Sequence, residues 1–243
     1  MLFVEGKLER IDPNRCSSCM ACADACPADA IKQWGREISV REAMDEIRRD
    51  KGYYDRSGGG VTVSGGEPLL QADFVAEVFK ACREEGIHTC CESTLCVPWE
   101  QIEKVLPWTD MFFTDIKHMD SKIHEEFTGV GNERIFENQK KLAGLGKEMV
   151  VRIPVIPGVN DDKNNIEKTA DYILDELGGR VRTLQLLSFM RLGEEKYASL
   201  GRPYGMQDLE IDRPAFQKHV EEMAAYFEER GIHCTVGTRE KEA

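Results

Sequence analysis

Residues 53–71 read YYDRSGGGVTVSGGEPLLQ, and the architecture of the chain is legible from that stretch outward. Val61 to Ser64 is a short β-branched run set off by glycines on both sides, as in a strand that ends in a permissive turn. Immediately after it, Gln71 to Glu85 places Phe74, Val75, Val78, Phe79 and Cys82 at helical spacing. Ser39 to Asp50 carries the same period upstream. A strand flanked by two amphipathic helices predicts a strand–helix alternation, and the alternation continues. Strand-like His88 to Cys91, helical Pro98 to Leu106, strand-like Met111 to Ile116 and a helical pair from Ser121 to Leu145 follow in order. Then come strand-like Met149 to Ile156, helical Asn164 to Leu177, strand-like Arg182 to Leu187 and a long helix from Arg213 to Arg230. Five strands are predicted, with a possible short sixth at Cys234 to Val236. Strands alternating with helices imply right-handed parallel crossovers, hence an α/β sheet or barrel.

Residues 1 to 35 differ: they are cysteine-dense, punctuated by prolines, and hold too little apolar material for a core. The expected division is therefore a small module over 1–35 and one main domain over 36–243. The 44 acidic against 32 basic side chains give a net charge of -12, which argues against a phosphate backbone as partner. No apolar run approaches the roughly 20 residues of a membrane span, and the first residues do not read as a signal peptide. A cytoplasmic location is expected.

In a reducing compartment nine cysteines point to metal or redox chemistry rather than disulfides. Cys16, Cys19, Cys22 and Cys26, followed by Pro27, have the spacing of bacterial four-iron four-sulfur ferredoxins. Zinc sites space their cysteine pairs further apart, so a cluster is the better reading. In two-cluster ferredoxins the fourth cysteine of such a run serves the other cluster, which makes Cys26 the open ligand. Cys90, Cys91 and Cys96 read as buried packing residues, and the histidines form no metal-binding spacing.

Gly65, Gly66 and Glu67 follow the Val61 strand, where glycines admit a close ligand and a carboxylate can meet an ammonium group. Read alone, they are only a turn. Asp115 and Lys117 share a face at the end of a later strand, with a salt bridge to neighbouring loops as the simplest role. Arg152 lies within an apolar strand and needs an anionic partner, from the protein or from a ligand.

Together, residues 53–71, FFTDIKHMD (112–120), VRIPVIPGVND (151–161) and MRLGEEKYASLGRPY (190–204) resemble the glycyl-radical enzyme activating enzymes, the radical S-adenosylmethionine family of the pyruvate formate-lyase activating enzyme. The cysteine run resembles the subgroup with a ferredoxin-like insert. The resemblance implies a partial (β/α)6 TIM-like barrel and a 4Fe-4S cluster that reduces S-adenosylmethionine. It also implies a deoxyadenosyl radical that takes hydrogen from a glycine of a partner enzyme, with a flavodoxin or ferredoxin-type electron donor. By the same resemblance Gly65, Gly66 and Glu67 match the segment that holds the methionyl amino group, and Asp115, Lys117 and Arg152 match polar residues lining the cofactor site.

Two segments depart from that pattern: Met190 stands where many relatives have histidine, and Glu92-Ser93-Thr94-Leu95 where many have an Asp/Glu-Thr-Asn/Cys-Gly stretch. The family's Cys-x-x-x-Cys-x-x-Cys motif has no counterpart in residues 1–243. The expectation is thus an N-terminally truncated chain, lacking the first barrel strand and inactive alone. The rival reading is an electron-transfer or partner-binding module without radical chemistry. Anaerobic reconstitution should yield a brown iron- and sulfide-bearing protein, and Cys19→Ser should abolish most of its visible absorbance. Unchanged absorbance would remove the cysteine run as the ligand set.

Overall fold

The computed structural model describes residues 2–4, 7–12, 14–33 and 35–237. In chain order the elements are β1 (Leu2–Val4), β2 (Lys7–Arg10), α1 (Ala21–Asp24), α2 (Val40–Arg49), α3 (Lys51–Ser57) and β3 (Gly60–Val63). Next come α4 (Ala72–Glu84), β4 (His88–Glu92), α5 (Trp99–Val105), β5 (Met111–Asp115), α6 (Ser121–Thr128) and α7 (Glu133–Gly144). The chain finishes with β6 (Glu148–Val155), α8 (Lys163–Asp171), β7 (Thr183–Ser188), α9 (Glu194–Ser199), α10 (Arg213–Glu229) and β8 (Cys234–Val236). Two compact units result: the described residues of 1–38 with 190–210, and those of 39–189 with 211–243.

The first unit holds the antiparallel β1–β2 hairpin, the short helix α1 and the short helix α9. None of the three has the length or periodicity that sequence reading needs. Tyr197 meets Tyr204 edge-on at 5.2 Å within it.

The second unit is a six-stranded parallel sheet in the order β3-β4-β5-β6-β7-β8, each strand beside its successor. That is the arrangement of a partial TIM-like barrel, in which every crossover passes through a helix. The possible sixth strand is real, since Leu184 to Leu186 of β7 pair with Cys234 to Val236. Gly60, at the start of β3, is required by close approach: a Cβ there would lie 1.9 Å from the His88 carbonyl oxygen.

Side chains alternate across the strands, so the sheet has two chemically different faces. One carries Cys91, Phe112, Met149, Val151, Leu184 and Leu186, all fully buried against the helices. Parallel strands covered this way read as near-continuous apolar runs, which is why the sequence located them. Side-chain caps fix two of the helix starts. Ser39 and Glu42 form a reciprocal capping box at α2, and the Asp212 side chain caps α10 by accepting from the Ala215 N–H. Helix α2 then lays Met44 against Val78, Cys82 and Ile87 in a smaller second core.

The helix predicted over residues 164–177 is interrupted: α8 ends at Asp171 and Tyr172–Glu176 form a wider π turn. Its first residue explains the change. The buried Tyr172 stacks on Phe136 at 4.6 Å and donates its hydroxyl to Gln139 Oε1 at 3.0 Å. Gln139 and Phe136 both belong to α7, so the extra residue per turn serves helix–helix packing.

Leu95, in the loop after β4, is left-handed at φ 59° and wholly buried. The conformation costs roughly 1–2 kcal/mol for a residue with a Cβ, which burial of the side chain offsets by roughly 2–3 kcal/mol. Leu95→Ala should therefore destabilise by roughly 2–5 kcal/mol. Leu95→Gly, though it removes one carbon more, should cost no more than the alanine variant, because glycine relieves the backbone. Denaturant melts of the two variants check this; a clearly less stable glycine variant would refute the offset.

Candidate active site at the carboxyl ends of the strands

The second face of the sheet is polar toward the carboxyl ends. Register places Asp115 of β5 beside Arg152 of β6, Arg152 beside Gln185 of β7, and Gln185 beside Thr235 of β8. A period-two pattern marks each residue's face, but only strand pairing aligns the four into one row. Arg152 donates from Nε to Gln185 Oε1 at 3.1 Å and from Nη1 to Glu92 Oε1 at 2.8 Å. Its guanidinium also stacks 4.0 Å from the Phe113 ring centroid. The anionic partner required by an arginine in an apolar strand is thus Glu92, at the end of β4. Sequence reading missed Glu92, Phe113 and Gln185, because nothing local pairs residues 60 positions apart. At the far end of the row, the Thr235 hydroxyl is buried with no hydrogen-bond partner among the described residues.

Asp115 and Lys117 pair with each other, Nζ to Oδ2, rather than with neighbouring loops. The cause is local: β5 ends at Asp115, the Ile116 N–H turns to the Arg152 carbonyl at 2.9 Å, and Lys117 returns to the side of Asp115. Both side chains remain about one-third exposed, so the pair contributes little to stability and its charges stay accessible.

Gly65, Gly66 and Glu67 follow β3. Gly65 adopts φ 120°, and a Cβ on either glycine would meet no atom within 4 Å, so the backbone forms an open shelf at the strand end. The Glu67 carboxylate accepts four hydrogen bonds from the protein. Oε1 takes the Leu69 N–H at 3.1 Å and the Ser93 hydroxyl at 2.8 Å; Oε2 takes the Thr94 N–H at 3.0 Å and the Thr94 hydroxyl at 2.7 Å. A carboxylate offers about four lone-pair positions. Glu67 therefore ties the loop after β3 to the loop after β4, and the Gly65–Gly66 backbone is left facing outward. Two cavities, of about 300 Å³ and about 450 Å³, are formed by the described residues, and the smaller is lined in part by Phe113 and Gln185, the neighbours of Arg152. The smaller is at the amino ends of the strands beside His88 and Arg182, and the larger is among α7, α8 and the π turn.

The cysteines fall into two chemical classes. Cys82, Cys90, Cys91 and Cys234 are buried, and burial pushes their thiols up to about 11, 11, 12 and 12. Such thiols are protonated and unreactive. Cys16, Cys19, Cys22 and Cys26 are free and solvent-accessible in the first unit. The Cys19 thiol is lowered by the Ala21 N–H and then by the Ser17 hydroxyl; that of Cys26 is lowered by the backbone at Ile31, Ala28 and Ala30. Thiolate character and backbone donors around sulfur suit an iron–sulfur cluster. Among the described residues no three Cys, His, Asp or Glu side chains converge on one point, so these thiols are not gathered into a coordination sphere.

Replacing Glu67 with glutamine should expose what its carboxylate holds, because the new amide group would face hydroxyl and N–H donors. Glu67→Gln should lower stability by roughly 1–3 kcal/mol before any ligand is added. An unchanged thermal midpoint of the ligand-free protein would show that the loop tie carries no energy.

Comparison with known proteins agrees with this geometry. The model of the Radical SAM superfamily matches residues 13–173. The chain is 61% identical over 239 residues to the (2S)-3-sulfopropanediol dehydratase activating enzyme of Klebsiella oxytoca, covering 98% of this chain and 75% of that protein. It is 41% identical over 232 residues to the 4-hydroxyphenylacetate decarboxylase activating enzyme of Clostridioides difficile strain CD196, covering 93% and 71%. Among solved structures, a domain of the pyruvate-formate lyase-activating enzyme from Bacteroides vulgatus superposes with a TM-score of 0.60 at 29% identity, covering 74% of this chain and 99% of that one.

Proposed function

Because the chain belongs to the radical S-adenosylmethionine superfamily and, within it, to the activating enzymes of glycyl-radical enzymes, we propose that its partner is a glycyl-radical enzyme of the sulfopropanediol dehydratase type. The observation that carries this choice is the 61% identity across 98% of the chain to the activating enzyme of that dehydratase, against 41% to the decarboxylase activator. The family's cofactors are a 4Fe-4S cluster and S-adenosylmethionine, whose reductive cleavage supplies the species that takes hydrogen from the partner's glycine.

The chain's own residues divide the work as follows. Cys16, Cys19, Cys22 and Cys26 hold an iron–sulfur cluster that relays electrons from a flavodoxin or ferredoxin-type donor. The outward backbone of Gly65 and Gly66 receives the methionyl amino group of S-adenosylmethionine, on a shelf that Glu67 keeps in place. Arg152, Asp115 and Lys117 line the cofactor site. The Glu92 and Gln185 bonds fix the guanidinium of Arg152 in one orientation, so little side-chain freedom remains to be lost on binding. The setting is cytoplasmic. No helix of the described residues is long and apolar enough to cross a membrane.

Electron paramagnetic resonance tests the partner. Reconstituted protein joined at its N-terminus to a segment that carries the family's Cys-x-x-x-Cys-x-x-Cys motif, with reductant, S-adenosylmethionine and a sulfopropanediol-dehydratase-type enzyme, mixed without oxygen, should give a glycyl radical. A hydroxyphenylacetate-decarboxylase-type enzyme should give none. Direct binding to each partner, measured alongside, reads partner choice separately from radical yield. Tighter binding or a stronger radical signal with the decarboxylase would overturn the assignment.

A further inference from the structure

The segment that follows β5 has no regular structure, yet four carbonyls and one N–H of residues 115–119 are held by buried amide side chains. Gln139 Nε2 donates to the Asp115 carbonyl at 3.3 Å, and Asn160 Nδ2 donates to the Lys117 carbonyl at 2.8 Å. Asn132 Nδ2 donates to the carbonyls of His118 and Met119 at 2.9 and 3.2 Å, while Asn165 Oδ1 accepts the Met119 N–H at 2.9 Å. All four amides are at least 95% buried, and they come from helix α7, the residue that precedes it, the loop after β6 and helix α8. Each is an expensive group to bury, costing roughly 1–3 kcal/mol if its partner is lost. An apolar residue would pack these helices as well, but it would leave the loop's carbonyls unpaired.

Asn160 occupies the central place. Besides Lys117, its amide donates to the Pro154 carbonyl at 2.8 Å, and its Oδ1 accepts the Ile156 N–H at 2.8 Å. One 2% exposed side chain thus joins the backbone of Lys117 to the end of the strand that carries Arg152. The donors and acceptor of this amide are all used, so it has one orientation.

We propose that Asn160 is a positioning residue for S-adenosylmethionine, setting where the Asp115–Lys117 pair stands relative to Arg152; this rests on the reading that places those three residues at the cofactor. It touches no ligand itself and acts through Lys117. A displacement of an ångström at such a site is enough to cost an order of magnitude or more.

The test is a double-mutant cycle on the full reconstituted chain, with S-adenosylmethionine as the probe and calorimetry as the readout. Lys117→Met and Asn160→Ala should each weaken binding about tenfold, the size of one lost charged contact. The double variant should bind no more than about twofold worse than Lys117→Met, because residues acting as a unit are not additive. A structural role alone would give the full product of the two losses, and that product overturns the proposal. So does unchanged affinity in a folded Asn160→Ala protein. If the alanine variant does not fold, Asn160→Asp, which keeps shape and the Ile156 contact but removes both donors, replaces it in the cycle; failure of both to fold assigns Asn160 to stability and ends the proposal. Unchanged affinity in Lys117→Met, or no binding by the unsubstituted chain, strikes instead at the placement of the cofactor site. Native-state hydrogen exchange should show faster exchange at the amides of residues 117–119 in Asn160→Ala with the sheet unaffected.

Discussion

Buried backbone must find hydrogen-bond partners, and on the carboxyl side of this sheet it finds them in side chains. The loops after β3, β4, β5 and β6 have no ladder of their own. Asn138 donates to the carbonyls of Leu95 and Val97, Asn160 to those of Lys117 and Pro154, Asn132 to those of His118 and Met119, and Glu67 gathers the donors of Ser93 and Thr94. Without these ties the loops would either rise to solvent or break the packing beneath them. With them, irregular backbone is as fixed as a strand, and a polar surface can be presented where regular structure has ended. Everything chemically interesting in the second unit stands on that support.

Charge is handled with similar economy of position. The chain is acidic overall, at -12, yet it places one guanidinium on the second face of its sheet. Arg152 tolerates that place because Glu92, Gln185 and the face of Phe113 surround it, each from a different strand. The cation–π contact alone is worth roughly 0.5–2 kcal/mol. The Glu92 carboxylate is nearly half exposed, so its pair with Arg152 is better understood as fixing direction than as supplying stability. Asp115 and Lys117, each about one-third exposed, keep both charges within reach of a bound molecule.

Departures from the family pattern acquire physical content in the same region. Leu95 stands at a position where many relatives have glycine, and it does adopt the left-handed conformation that glycine would take. Its side chain is fully buried and its carbonyl is held by Asn138. The strain is accepted because packing and hydrogen bonding both act on the same residue. Neighbouring Ser93 and Thr94 supply three of the four donors to Glu67, so the unusual stretch still performs the work of joining two loops.

From the sequence alone came the parallel α/β sheet, the helices beginning near Ser39 and Arg213, the cysteine run and the strand-end glycines. Each depends on a short-range signal: apolar periodicity, a fixed spacing, or a residue type that a turn demands. The sequence could also say that Arg152 needs a partner, because burying a charge is costly wherever it occurs. It could not say which partner. Glu92 lies 60 residues away, and its approach depends on β4, β5 and β6 lying side by side in a particular register. The same holds for the hold of Asn160 on Lys117, 43 residues apart, and for Glu67, whose carboxylate accepts donors from Ser93 and Thr94, 26 and 27 residues away. Tertiary structure decided these points because a hydrogen bond is fixed by distance and direction in space, and only the folded sheet brings such distant residues within 3 Å of one another.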